Sequence, residues 1–333
     1  MSRILEKCNW TTDSFAPILS DIVRKALKHS NAVDVVEANY NAHHEREFLN
    51  APNGSMLAID WLDHPEDIAK KFHGLVVLVN HGCTQIMARS LFEYLMENAH
   101  QQDMGCCVVN LQGVNGVQAT NASVGTGLSM IVELKAVTER IHQHLGSFFP
   151  KCLVGVSIGA IPVIEYLSQD RLNYSSACLI SPPLQLQKWC DDGTRETASC
   201  IASAKHLIKE NAEVLSTWNI HAVSKASMAT SLSEIFAAIH SSSSSSVASL
   251  FNSLEPYSRL DQISKPLLMF YALDDESMSF YDDVDLLRLC RNPNIAVSVT
   301  EHGGHYGFRS LNKPTWLGQS VLEYLSISLR PEF

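Results

Sequence analysis

Gly155-Val156-Ser157-Ile158-Gly159 constrains this chain more than any other stretch of it. The short apolar run Cys152-Leu153-Val154 precedes it, and a helical pattern running to Gln169 follows. A strand that turns directly into a helix at a serine needs small residues two positions to either side, because a side chain would clash in so sharp a bend. The serine hydroxyl is then lifted to the N-terminus of the next helix, where the helix dipole favours negative charge. In that position the backbone N–H of Ile158 is aimed at any oxyanion that develops beside Ser157.

The rest of the chain supplies the context such a turn requires. Strand-like runs at residues 33–38, 55–61, 74–80, 106–110, 152–156, 177–180, 266–272 and 296–300 alternate with helical patterns at 85–100, 128–145, 158–168, 280–290 and 316–329. Alternation of this kind predicts an α/β fold, a mostly parallel central sheet of about eight strands flanked by helices. The first two or three strands have no helix between them and are expected to form an antiparallel edge. Later runs such as Leu75–Val79 are apolar throughout, as befits strands covered on both faces.

One section breaks the alternation. Between Pro182-Pro183 and Pro266 the chain reads as amphipathic helix, with a serine run at 241–246 that suits a loop tip. The expected organisation is therefore an N-terminal helical extension at 1–32, a first core part at 33–182, a helical cap inserted after the sixth strand at 183–263, and a second core part at 264–333.

Composition excludes several classes of partner. The net charge of −10, with no dense basic run, argues against nucleic acid and against anionic membranes as main partners. No apolar run is long enough to span a bilayer, and residues 1–28 mix charge with short apolar groups, unlike a secretory leader. The nine cysteines are scattered and odd in number, so reduced thiols in a cytoplasmic protein are expected. No Cys-x-x-Cys pair or third histidine at a recognisable spacing points to a metal.

A serine hydroxyl becomes a useful nucleophile only when a base takes its proton, and that base needs an orienting acid. Both are present on loops after later strands. Leu273-Asp274-Asp275-Glu276 follows the strand at 266–272, and Glu301-His302-Gly303-Gly304-His305 follows the one at 296–300. His305 is preferred to His302 as the base, because the Gly-Gly pair lets its loop approach the serine. Asp275 is preferred to Asp274 as the orienting acid, with Asp274 fixing the turn through backbone N–H groups. A second oxyanion donor is expected from Asn80-His81-Gly82-Cys83-Thr84, where the N–H of Cys83 would lie beside that of Ile158. Each such donor is typically worth about 3 kcal/mol to the transition state.

With these segments in hand, the chain resembles the YheT-like branch of the α/β-hydrolase superfamily, the embryogenesis-associated lipases and esterases. The resemblance rests on Ser55-Met56-Leu57-Ala58-Ile59-Asp60-Trp61, Asn80-His81-Gly82-Cys83-Thr84, Gly155 to Ala160, Ala272-Leu273-Asp274-Asp275 and Gly303-Gly304-His305-Tyr306-Gly307-Phe308. It implies a Ser157–Asp275–His305 triad that hydrolyses carboxylic esters, lipid-like or acylglycerol esters above all, without metal or organic cofactor. Transient contact with a membrane surface is a further expectation. The chain departs from the family at Asn110-Leu111-Gln112-Gly113, where the pattern has arginine at the place of Gln112. Acyl transfer to an alcohol and a non-catalytic binding role are the alternatives on the same fold.

Overall fold

The computed structural model describes residues 45–81, 85–120, 130–169, 172–191, 193, 195–240, 251–252, 255–275, 289, 291–305 and 316–329. The expected extension at 1–32, strand at 33–38, serine run at 241–246 and almost all of the helix at 280–290 lie outside these residues.

Eight strands form one sheet: β1 (Glu45–Asn50), β2 (Met56–Trp61), β3 (Gly74–Asn80), β4 (Met104–Asn110), β5 (Lys151–Val156), β6 (Ser176–Ile180), β7 (Leu267–Ala272) and β8 (Ile295–Thr300). Their order is β1-β2-β4-β3-β5-β6-β7-β8. The β1–β2 and β2–β4 pairs are antiparallel and all others are parallel. An antiparallel edge is present, but its described strands are Glu45–Asn50 and Met56–Trp61. The expected strand at 33–38 lies outside the described residues, and the run at 74–80 follows a helix (Pro65–Lys71) and pairs in parallel with both its neighbours. Strand β1 has few apolar residues and exposes Phe48, so it reads as loop in sequence. Its charges suit the end of the sheet among the described residues, where they oppose pairing with another chain.

The described residues also form ten α-helices, besides short 3₁₀ turns: α1 (Pro65–Lys71), α2 (Gln85–Ala99), α3 (Ile131–Leu145), α4 (Ala160–Gln169), α5 (Leu186–Asp191), α6 (Arg195–Glu210), α7 (Ala212–Trp218), α8 (Ala222–Met228), α9 (Leu232–His240) and α10 (Trp316–Ser328). Strand side chains alternate between the two faces. Along β3, Leu75, Val77 and Val79 join a core with Ile68 of α1, Leu134 and Val137 of α3 and Ile161 of α4. Val76 and Leu78 join the opposite core with Leu95 of α2 and Val321 and Leu325 of α10. Two covered faces explain why the central strands are apolar at every position.

The section between β6 and β7 is helical, as its periodicity predicts. Helices α5 to α9 pack on one another and bury Trp189, Leu207, Leu215, Ile235 and Phe236. These large apolar residues continue the same core that lies beneath α3 and α4.

Six described cysteines, 106, 107, 152, 178, 190 and 200, are buried and free of disulfides. Burial pushes the thiols of Cys106, Cys107 and Cys178 well up, and that of Cys152 to about 11.

Candidate active site

In an open sheet of this kind, ligands bind outside the carboxyl ends of the strands, where successive connections leave to opposite sides. Here β4 lies on one side of β3 and β5 on the other. Ser157 follows β5 immediately, in a 3₁₀ turn (Ser157–Gly159) that runs into α4. Its φ of 51° is in the left-handed region, which costs a non-glycine residue roughly 1–2 kcal/mol. Gly155 is sterically required, and Gly159 is tightly confined. A Cβ on Gly155 would stand 2.8 Å from the Ala160 Cα and from the Gly159 carbonyl oxygen, and one on Gly159 would stand 3.1 Å from the Val79 oxygen. The turn thus presses α4 against the sheet and against the chain leaving β3.

Three residues from three strand ends meet at this turn. His305 Nε2 lies 2.7 Å from Ser157 Oγ. Its Nδ1 lies 2.7 Å from Asp275 Oδ2. All three are buried, Ser157 completely so. A carboxylate only accepts hydrogen bonds, so Nδ1 carries the proton donated to Asp275 and Nε2 is left to accept from the serine hydroxyl. Such a chain can draw the proton from Ser157 as its oxygen attacks, and hold the resulting imidazolium beside a negative charge.

The neighbouring pair has a different place. Asp274 Oδ1 accepts hydrogen bonds from the backbone N–H of Gly303 at 2.9 Å and of Gly304 at 2.8 Å. Its other oxygen faces His302 Nδ1 at 3.3 Å, in an exposed pair. Asp274 therefore fastens the histidine loop to the β7 loop, rather than stiffening only its own turn. Gly304 has a φ of 52°, which suits glycine and turns the chain into His305.

On the other side of Ser157, Asn80 ends β3 and Asn110 ends β4. Asn80 Nδ2 donates to Asn110 Oδ1 at 2.9 Å, and Asn110 Nδ2 donates to Asp60 Oδ2 at 2.7 Å. Arg46 of β1 closes the chain with a bidentate pair to Asp60 at 2.6 and 2.7 Å. This hydrogen-bonded chain, buried except at Arg46, ties the end of β3 through β4 and β2 to β1. Sequence reasoning quoted three of its residues only as parts of motifs. Their signal is a polar residue ending an otherwise apolar strand, which happens at both Asn80 and Asn110. Cys83 lies outside the described residues. Ile158 is buried in the first turn leading into α4, where N–H groups have no partner within the helix. Gln112 accepts from the N–H and hydroxyl of Thr120 and donates to Ser55, so it ties its own loop together. Among the described residues no group of three or more histidine, cysteine, aspartate or glutamate side chains could hold a metal ion.

The architecture is the α/β-hydrolase fold. Over 91% of its length the chain is similar to an esterase from Pyrococcus furiosus, covering 99% of that protein at 15% identity with a TM-score of 0.57. An esterase from Exiguobacterium antarcticum is similar over 84% of this chain and 98% of its own, at 16% identity and a TM-score of 0.50. At such identities the likeness speaks for fold. No protein-family model matches the chain.

Proposed function

We propose that the protein is a serine hydrolase that cleaves carboxylic esters through an acyl-enzyme, in the manner of the YheT-like lipases and esterases. The observation that carries this reading is the unbroken hydrogen-bonded chain from Asp275 through His305 to Ser157, set on a strained turn at a strand end. His305 takes the proton of Ser157 as its oxygen attacks the ester carbonyl, and Asp275 stabilises the imidazolium. The N–H groups of Ile158 and Cys83 receive the oxyanion. His305 then protonates the departing alcohol and next activates the water that releases the acid.

Helices α5 to α9 act as the cap, and their apolar character favours a medium or long acyl chain. No helix among the described residues is long and apolar enough to cross a membrane. The buried thiols of Cys106, Cys107, Cys152 and Cys178 suit a reducing, cytoplasmic setting. Rapid mixing with nitrophenyl esters of graded chain length tests the reading. A burst of nitrophenol equal to the enzyme concentration, followed by slower turnover, is the expected result. Absence of turnover with every ester would count against it.

A further inference from the structure

Ser157 has a counterpart on the next strand. Val156 of β5 is the register partner of Ile180 of β6, and each is followed immediately by a serine. Ser181 shares the left-handed backbone of Ser157, with a φ of 46° against 51°. Like Ser157 it is fully buried. Its main chain is fixed on the β7 side, since its N–H donates to the Phe270 carbonyl at 2.9 Å and the Tyr271 hydroxyl donates to the Pro182 carbonyl at 3.1 Å. Its own hydroxyl has no hydrogen-bond partner among the described residues. A strained backbone and an unpaired buried hydroxyl each cost stability, and together at a strand end they call for a partner that the described residues do not supply.

The strand order relates the position of Ser181 to the two halves of the ester. Strand β3 lies on one side of β5, and β6, β7 and β8 lie on the other. Ser181 stands after β6, Asp275 after β7 and His305 after β8. The alcohol must depart where His305 can protonate it, which is the side of Ser181. We propose that Ser181 Oγ is the hydrogen-bond partner of a hydroxyl on the alcohol half of the substrate, so that esters of polyols are preferred to esters of plain alkanols. This assignment rests on the serine-hydrolase reading of the site.

The test compares kcat/KM for a glycerol monoester with that for the propyl ester of the same fatty acid. It uses wild type, Ser181→Ala and Ser181→Gly, with fluorophosphonate labelling of Ser157 measured alongside. The glycine variant removes the hydroxyl and also relaxes the left-handed backbone, so agreement of the two variants assigns the effect to the hydroxyl. Wild type should favour the glycerol ester. Both variants should lose about tenfold on it, change less than about twofold on the propyl ester, and label as wild type does. An unchanged preference, an equal loss on both esters, or no preference in wild type would overturn the proposal while normal labelling left the hydrolase reading in place. Failure of wild type to label would instead remove the hydrolase reading, and this proposal with it.

Discussion

Two adjacent aspartates, 274 and 275, do separate jobs at the end of β7. Asp275 reaches His305, and Asp274 holds the Gly303 and Gly304 amides that precede it. Asp274→Ala should lower kcat by about ten- to a hundredfold with little change in KM, because a small displacement of the histidine loop spoils proton transfer. Asp274→Asn keeps one acceptor oxygen and should retain most of the activity, which steady-state kinetics of both variants will show. Gly155→Ala should cost more than about 3 kcal/mol, since its new methyl meets backbone that cannot move aside; urea unfolding measures this. At this scale the sequence was informative wherever chemistry demands a residue type. The spacing of Ser157, Asp275 and His305 after three strands led to the residues the structure brings together. Ser181 was illegible because its signature is a backbone angle and an unpaired hydroxyl, neither of which leaves a pattern in residue types.

The elements show the same division between pattern and context. Apolar runs such as Val76–Val79 announce themselves because burial on both faces demands it. Strand β1 does not, because an edge strand is specified by its neighbour. Glu47 of β1 bonds Trp61 of β2 and both Arg140 and His144 of α3, contacts that no local pattern encodes. Helix α1 is short, and its cap is the His64 ring accepting from the Glu66 N–H, not one of the usual serine, aspartate or asparagine caps. The Arg46–Asp60–Asn110–Asn80 chain ties these edge elements to the strand end beside Ser157. Asp60→Ala removes the acceptor of Arg46 Nε and Nη2 and of the buried Asn110 amide, leaving Arg46 its bond to the Asn115 carbonyl. It should lower stability by about 2–3 kcal/mol, read as a lower urea midpoint at unchanged slope.

For the molecule as a whole, one buried carboxyl works against the fold. Glu165 of α4 is pushed above its ordinary value of 4.5, chiefly by burial, with Arg259 at 4.0 Å only partly offsetting this. Ionising it therefore costs more in the folded protein than in the unfolded chain. Its penalty is absent below the unfolded value and grows as pH rises through the folded one. Glu165→Gln should accordingly melt higher than wild type at neutral pH, with the advantage vanishing in acid below the ordinary glutamate range; calorimetry across that range checks it. The large-scale arrangement was legible as an alternation of strands and helices broken by one helical insertion. Strand order was not, because it is set by pairings between distant segments. The central claim remains that His305 and Asp275 activate Ser157. Labelling with a fluorophosphonate, which reacts with serines made nucleophilic by a base, tests it most directly when wild type is compared with Ser157→Ala and His305→Ala. The account predicts stoichiometric labelling of wild type on Ser157 and none in either variant. Folded wild type that fails to label, or labelling that persists in His305→Ala at the wild-type rate, would contradict it.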